Sequence, residues 1–218
     1  GVLNLVHGYG EEAGWPLVVH PQVDVVLFTG SAAVGSKIKE ACAQDYRKFC
    51  VCEMGGKNAM IIFDDADFDL AVNAAVLSAF RTAGQRCVSA ERLIVQEGIF
   101  DRFAQAFVAR ARRLCIGDPL DPDTFMGPLV NQAVVEKFQH YNKLAVAEGA
   151  RVLLDGGRLS EGELARGYFV RPFVYILRHD PAFKVLREEV FGPHVALISF
   201  RDLEEAVRIY NETEYGFA

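Results

Sequence analysis

No apolar run in the 218-residue chain approaches the roughly 18–20 residues that a membrane-crossing helix needs. No basic stretch is followed by an apolar one, so no secretory signal is visible. Basic clusters are scarce as well. None is longer than Arg112-Arg113, and the net charge is -6 with a pI near 5.4, which argues against nucleic acid as a partner. Internal repeats and low-complexity tracts are absent. Metal-ligand spacing is missing too. The five cysteines (Cys42, Cys50, Cys52, Cys87, Cys115) are odd in number and scattered, Cys50-x-Cys52 is too tight for the usual zinc pair, and no histidine pair lies nearby. Taken singly, each reads as a small buried apolar residue in a reduced, cytoplasmic protein. His7 and His20 have no neighbouring ligand residues. The acidic group Asp64, Asp65, Asp67 and Asp69 lacks the glycine and terminal Glu of a calcium loop, and fits the first turn of a helix instead.

What is present is the balance of a globular α/β protein with a substantial core, 51% hydrophobic and 24% charged. An apolar start, Val2 to Val6, reads as a strand and suggests a chain that opens inside a larger domain. Asp24 to Thr29 reads as a strand buried on both faces, Ala32 to Ala43 as a helix and Arg47 to Cys52 as the next strand, together a βαβ unit. Further strands are predicted at Ala59–Phe63, Glu91–Gln96, Arg151–Leu154, Tyr168–Ile176 (interrupted at Pro172) and His194–Phe200. Helices are predicted at Phe68–Phe80, Ile99–Leu114, Gln132–Glu148 and Asp202–Asn211, with a polar, glycine-containing hairpin over 156–167.

Chemistry concentrates between Glu53 and Cys87. A carboxylate stands beside a double glycine (Glu53, Gly55, Gly56), and 34 positions later a cysteine follows a Gly-Gln-Arg turn. A helix or strand ends at each, so one cleft could take both, as a nucleophile and its base require. Gly30-Ser31 opens a helix that contains Gly35, a natural anion site because unpaired N–H groups and the helix dipole both favour negative charge. The stretch is neither GxGxxG nor a triphosphate loop, whose Lys and Ser/Thr stand in the opposite order. On its own an ordinary tight turn reads it equally well.

Glu53-Met54-Gly55-Gly56-Lys57 followed by Gly84-Gln85-Arg86-Cys87 resembles the aldehyde dehydrogenase superfamily. The phrase Phe28-Thr29-Gly30-Ser31 with Gly35, the segment Gly117-Asp118-Pro119 to Gly127-Pro128-Leu129, and Glu188-Glu189-Val190-Phe191-Gly192-Pro193 match it in the same order. The resemblance implies the end of a Rossmann-like cofactor domain (1–53) followed by most of a catalytic α/β domain (54–218). It makes Cys87 the nucleophile and Glu53 the general base. Gly30, Ser31 and Gly35 would meet the cofactor pyrophosphate, Glu189 the nicotinamide ribose and Phe191 the nicotinamide ring. NAD or NADP is the implied cofactor, an aldehyde the substrate, and a homo-oligomer the assembly, with no metal. Family chains are longer, and their flanking portions would carry the Asn that completes the oxyanion hole and the Lys that grips the adenosine ribose. Cys52, Met54 and Ser89 stand where the family usually has an aliphatic residue, Leu, and Ala or Gly.

Such a site makes an aldehyde carbon a hydride donor by thiolate addition, then hydrolyses the resulting thioester with a base-activated water. An ordinary thiol, with a pKa near about 8.5, is only a small fraction thiolate at neutral pH, so its surroundings matter. Glu53 favours release of a carboxylic acid over transfer to coenzyme A. Two other readings stand beside this one: a non-catalytic scaffold or oligomerising fragment with open sheet edges, and a cofactor-free thiol hydrolase using Cys87 and Glu53.

Overall fold

The computed structural model describes residues 1–216. The chain divides into two compact units, Gly1–Gly55 and Gly56–Ala218.

In the first unit, Val2 to Val6 form no strand. Val2, Leu3, Leu5 and Val6 are exposed and join no ladder among the described residues. Extended apolar sequence becomes a strand only where a partner supplies hydrogen bonds, and here the segment runs instead into a π-helical turn (Gly10–Gly14) and helix α1 (Trp15–Val19). Pro16 sits in the first turn of α1, where a missing N–H costs nothing. Strand β1 (Val25–Thr29) then crosses through helix α2 (Ala32–Cys42) to strand β2 (Phe49–Glu53), parallel to β1 from Val25↔Phe49 to Thr29↔Glu53. The βαβ unit therefore forms where the pattern placed it. Burial of β1 on both faces does not hold. Val25 and Leu27 are 54% and 77% exposed, whereas Val26 and Phe28 pack on Val18, Ile38 and Cys42. Successive strand residues point to opposite faces, and the helices of this unit cover one of them.

The second unit runs β3 (Ala59–Ile62), α3 (Phe68–Phe80), β4 (Arg92–Gln96), α4 (Phe100–Ala111), α5 (Gln132–Ala147), β5 (Arg151–Leu154), β6 (Phe173–Ile176), α6 (Lys184–Arg187), β7 (His194–Phe200) and α7 (Leu203–Asn211). Its sheet has the order β3-β4-β7-β6-β5, parallel throughout except for β5 against β6. The central strands β4 and β7 carry unbroken buried runs, Leu93 to Val95 and Val195 to Ile198, as expected of strands covered on both faces. Phe107 stacks with Phe80 and Phe103, centroids 5.5 and 6.2 Å apart, and so locks α3 to α4. Asp67 caps α3, accepting the Leu70 N–H at 3.0 Å, which accounts for one member of the acidic group as a helix signal. The 156–167 excursion folds back through an Arg158↔Val170 bridge and a short 3-10 turn, Glu163–Arg166. Among the described residues no helix is long and apolar enough to cross a membrane.

Candidate active site

The first unit gathers Gly30, Ser31, Gly35 and Glu53 at the carboxyl ends of its two parallel strands. The Gly30 N–H donates to the Glu53 carbonyl at 3.0 Å, extending the ladder one residue past β1 and β2. Ser31 is the N-cap of α2, its hydroxyl accepting the Val34 N–H at 3.3 Å. Gly35 is buried one turn later. A Cβ there would lie 2.5 Å from the Met54 sulfur, so glycine lets the chain after Glu53 close on the helix. The exposed first turn at Ser31 and Ala33 leaves helix N–H groups facing outward. This donor set fits a pyrophosphate, at the strand ends where open α/β sheets bind ligands. The Glu53 side chain is exposed in the same region.

The second unit builds the surroundings of Cys87. After α3 the chain enters a left-handed turn, with φ of 55° at Thr82, 55° at Ala83 and 67° at Gly84. Only glycine fits the last position, because a Cβ would run into the Gly192 carbonyl and stand 3.0 Å from the Ala79 oxygen. Gln85 fastens the turn. Its amide donates to the Thr82 and Pro128 carbonyls at 3.2 and 3.3 Å, and its oxygen accepts the Val130 N–H at 2.9 Å. The Gly127–Val130 segment is thus the anchor of the cysteine turn. Arg86 donates to the Leu77 and Ser78 carbonyls of α3.

Cys87 is half-buried. Its carbonyl accepts the Asn58 side-chain amide at 2.5 Å, and the same amide reaches the Ser89 carbonyl at 3.2 Å. The Asn58 carbonyl in turn accepts the N–H groups of Glu91 and Arg92, both at 3.1 Å. One buried asparagine therefore clamps both sides of the Cys87 turn to the segment entering β3.

Glu189 and Phe191 lie on a third loop. The Glu189 carboxylate accepts the Gly56 N–H at 3.0 Å, and burial raises its pKa above the usual carboxylate value against that hydrogen bond. Phe191 has a φ of 60°, an uncommon conformation for a bulky residue. Its N–H donates to Glu91 at 2.8 Å. Glu91 is itself buried and paired with buried Lys57 at 2.5 Å. Arg92, also buried, donates to the Lys57, Ile209 and Tyr210 carbonyls, so it tethers the end of α7, and burial lowers its pKa to about 10.

Three loops (56–58, 84–91 and 189–193) thus converge at the amino ends of adjacent parallel strands β3, β4 and β7. Cys87, Glu189 and Phe191 are brought to one end of this sheet. Glu53 and the glycines belong to the other unit. Sequence reading passed over Asn58, Lys57 and Glu91. The available signal was three polar residues leading into apolar strands, where a buried charge needs a partner.

Comparison with known proteins bears on the family of the whole chain. The model of the aldehyde dehydrogenase family matches residues 1–218. A 1-pyrroline-5-carboxylate dehydrogenase of Bacillus subtilis is 40% identical over 99% of this chain, and the mitochondrial succinate-semialdehyde dehydrogenase of Arabidopsis thaliana is 41% identical over all of it. A crystal structure of betaine aldehyde dehydrogenase from Staphylococcus aureus in complex with NAD+ superposes with a TM-score of 0.91 at 38% identity over 96% of the chain. The chain spans 42%, 40% and 41% of those three proteins. With its motifs in family order and the family match running from end to end, the chain belongs to the aldehyde dehydrogenase family.

Proposed function

We propose that the protein oxidises an aldehyde to a carboxylic acid with NAD or NADP, using Cys87 as nucleophile and Glu53 as general base. The observation that carries this reading is the construction around Cys87, where Gln85, Arg86 and Asn58 fix the backbone on both sides of a single half-buried thiol. Such pre-organisation is what a nucleophile needs and a structural cysteine does not.

The Cys87 thiolate adds to the aldehyde carbon, and its own backbone N–H can donate to the oxygen that becomes negative. The Ser31 helix start would hold the pyrophosphate of a nicotinamide cofactor, Glu189 and Phe191 would meet its ribose and ring, and the group when bound would supply the hydride acceptor. Loss of hydride from the thiohemiacetal carbon leaves a thioester on Cys87. Glu53 then takes a proton from water, the hydroxide adds to the thioester carbonyl, and the carbon–sulfur bond breaks. The acid is released and the Cys87 thiol restored. A homo-oligomer in the cytoplasm, acting on a small-molecule aldehyde, is the setting we propose.

The test is NADH formation by the intact protein with a panel of aldehydes. Cys87→Ala should abolish the signal. Glu53→Gln should retain a single-turnover burst of NADH while steady turnover falls about 10²–10⁴-fold, the usual contribution of a general base. Turnover that survives Cys87→Ala would overturn the reading.

A further inference from the structure

The buried Lys57–Glu91 pair is not accounted for by the acid–base and nucleophile roles. Lys57 is 1% exposed and Glu91 3%, and their charged groups meet at 2.5 Å. A pair taken this far out of water is poor stabilisation, because desolvation offsets most of the attraction and apolar side chains of similar volume would serve as well. Apolar side chains could not do what the Glu91 carboxylate does with its remaining lone pairs. One oxygen accepts the N–H of Val190 at 3.0 Å and of Phe191 at 2.8 Å. The other accepts Lys57 and lies 3.1 Å from the Val190 nitrogen. Two consecutive backbone N–H groups thus converge on one charge.

The residue gripped is the one that least wants its conformation. Phe191 sits at φ 60°, and a left-handed bulky residue is strained and persists only where its surroundings over-determine it. Glu91 supplies that determination. Lys57 sets an ammonium against this buried carboxylate, and N–H bonds to such a paired carboxylate are of the stronger, charge-assisted kind. Glu189, two residues before Phe191, is fastened in parallel to Gly56, the residue before Lys57. The loop is therefore held twice onto one short segment.

We infer that Glu91, paired with Lys57, is a positioning residue that sets the Phe191 backbone and with it the surface offered to the nicotinamide ring. The inference rests on the reading of Phe191 as a cofactor contact. It adds a determinant four residues past the nucleophile, so the cysteine turn and the ring-side loop are set by one ion pair.

The experiment measures KM for NAD, with NADP in parallel, kcat, KM for the aldehyde and thermal melting in the intact protein. The variants are Phe191→Ala, Glu91→Gln/Lys57→Met, their triple combination and Glu91→Asp. The double variant removes both charges together and leaves no orphaned ammonium. It should melt cooperatively and raise KM for the cofactor about ten- to a hundredfold, the scale of a roughly ångström-sized misplacement, with KM for the aldehyde little changed. The triple variant should be no worse than Phe191→Ala alone, since both changes remove the same contact. Glu91→Asp keeps the charge beside Lys57 but withdraws it from the loop, and should shift the cofactor KM in the same direction. It decides the matter if the double variant does not fold. If Phe191→Ala raises the cofactor KM while folded Glu91 variants leave it alone, the positioning role is wrong and the cofactor reading stands. If Phe191→Ala itself has no effect, the cofactor reading fails and takes this inference with it.

Discussion

Asn58 donates to two carbonyls, those of Cys87 and Ser89, through one side-chain amide. Asn58→Ala should leave both acceptors without their donor in a buried region, a loss of about 1–3 kcal/mol for the first group stranded. Calorimetry should find that drop, and alkylation kinetics should find a changed rate at Cys87 because its turn is no longer clamped. A variant with unaltered melting and thiol reactivity would mean the clamp is idle. Gly84 offers a sharper contrast. Gly84→Ala places a methyl against the Gly192 carbonyl at a positive φ, so melting temperature and turnover should both fall. Thr82→Gly, in the same turn but exposed, removes a left-handed strain of about 1–2 kcal/mol and should be neutral or stabilising. A Gly84→Ala protein as stable as Thr82→Gly would contradict the turn described above.

Elements were legible where local chemistry and periodicity agreed. The helix Phe68–Phe80 and the strand His194–Phe200 appear with the boundaries read from the pattern, because Asp67 caps the first and the second is apolar nearly throughout. Asp67→Ala should therefore destabilise the second unit by about 1 kcal/mol, the ordinary value of an N-cap, while Asp65→Ala should not. Paired denaturant titrations would separate them, and equal effects would refute the capping assignment. Val2–Val6 was misread because hydrophobicity proposes a strand but only a neighbouring strand can form one. The exposed Val25 and Leu27 were misread because a run of apolar residues does not reveal which face will be covered. In the candidate site, Cys87, Glu53 and the glycines were marked by short motifs. Lys57, Asn58 and Glu91 had only their place ahead of apolar strands to mark their pairing, because their partners lie up to a hundred residues away, as in the Glu91 bonds to Phe191.

Across the whole molecule, proteins named for three different substrates match this chain at 38–41% identity, so the likeness follows the scaffold, not one substrate. The scaffold also carries its own response to acid. His194 opens central strand β7 and is fully buried among the rings of Phe138, Tyr141, Phe173 and Tyr175. Burial, reinforced by the nearby Lys57 charge, holds its pKa well below 6.5, so the folded protein keeps it neutral. The unfolded chain binds a proton there below about pH 6.5. Its contribution is thus fully present above that pH and is lost as pH falls toward the folded value, with a limiting slope of about 1.4 kcal/mol per pH unit. Removing the titrating group should remove the slope. His194→Phe, an aromatic of similar shape, is expected to flatten the fall in unfolding free energy between pH 6.5 and 5 relative to the parent protein. Denaturant titrations at several pH values measure this directly, and parallel curves for the two proteins would show that acid sensitivity arises at other groups.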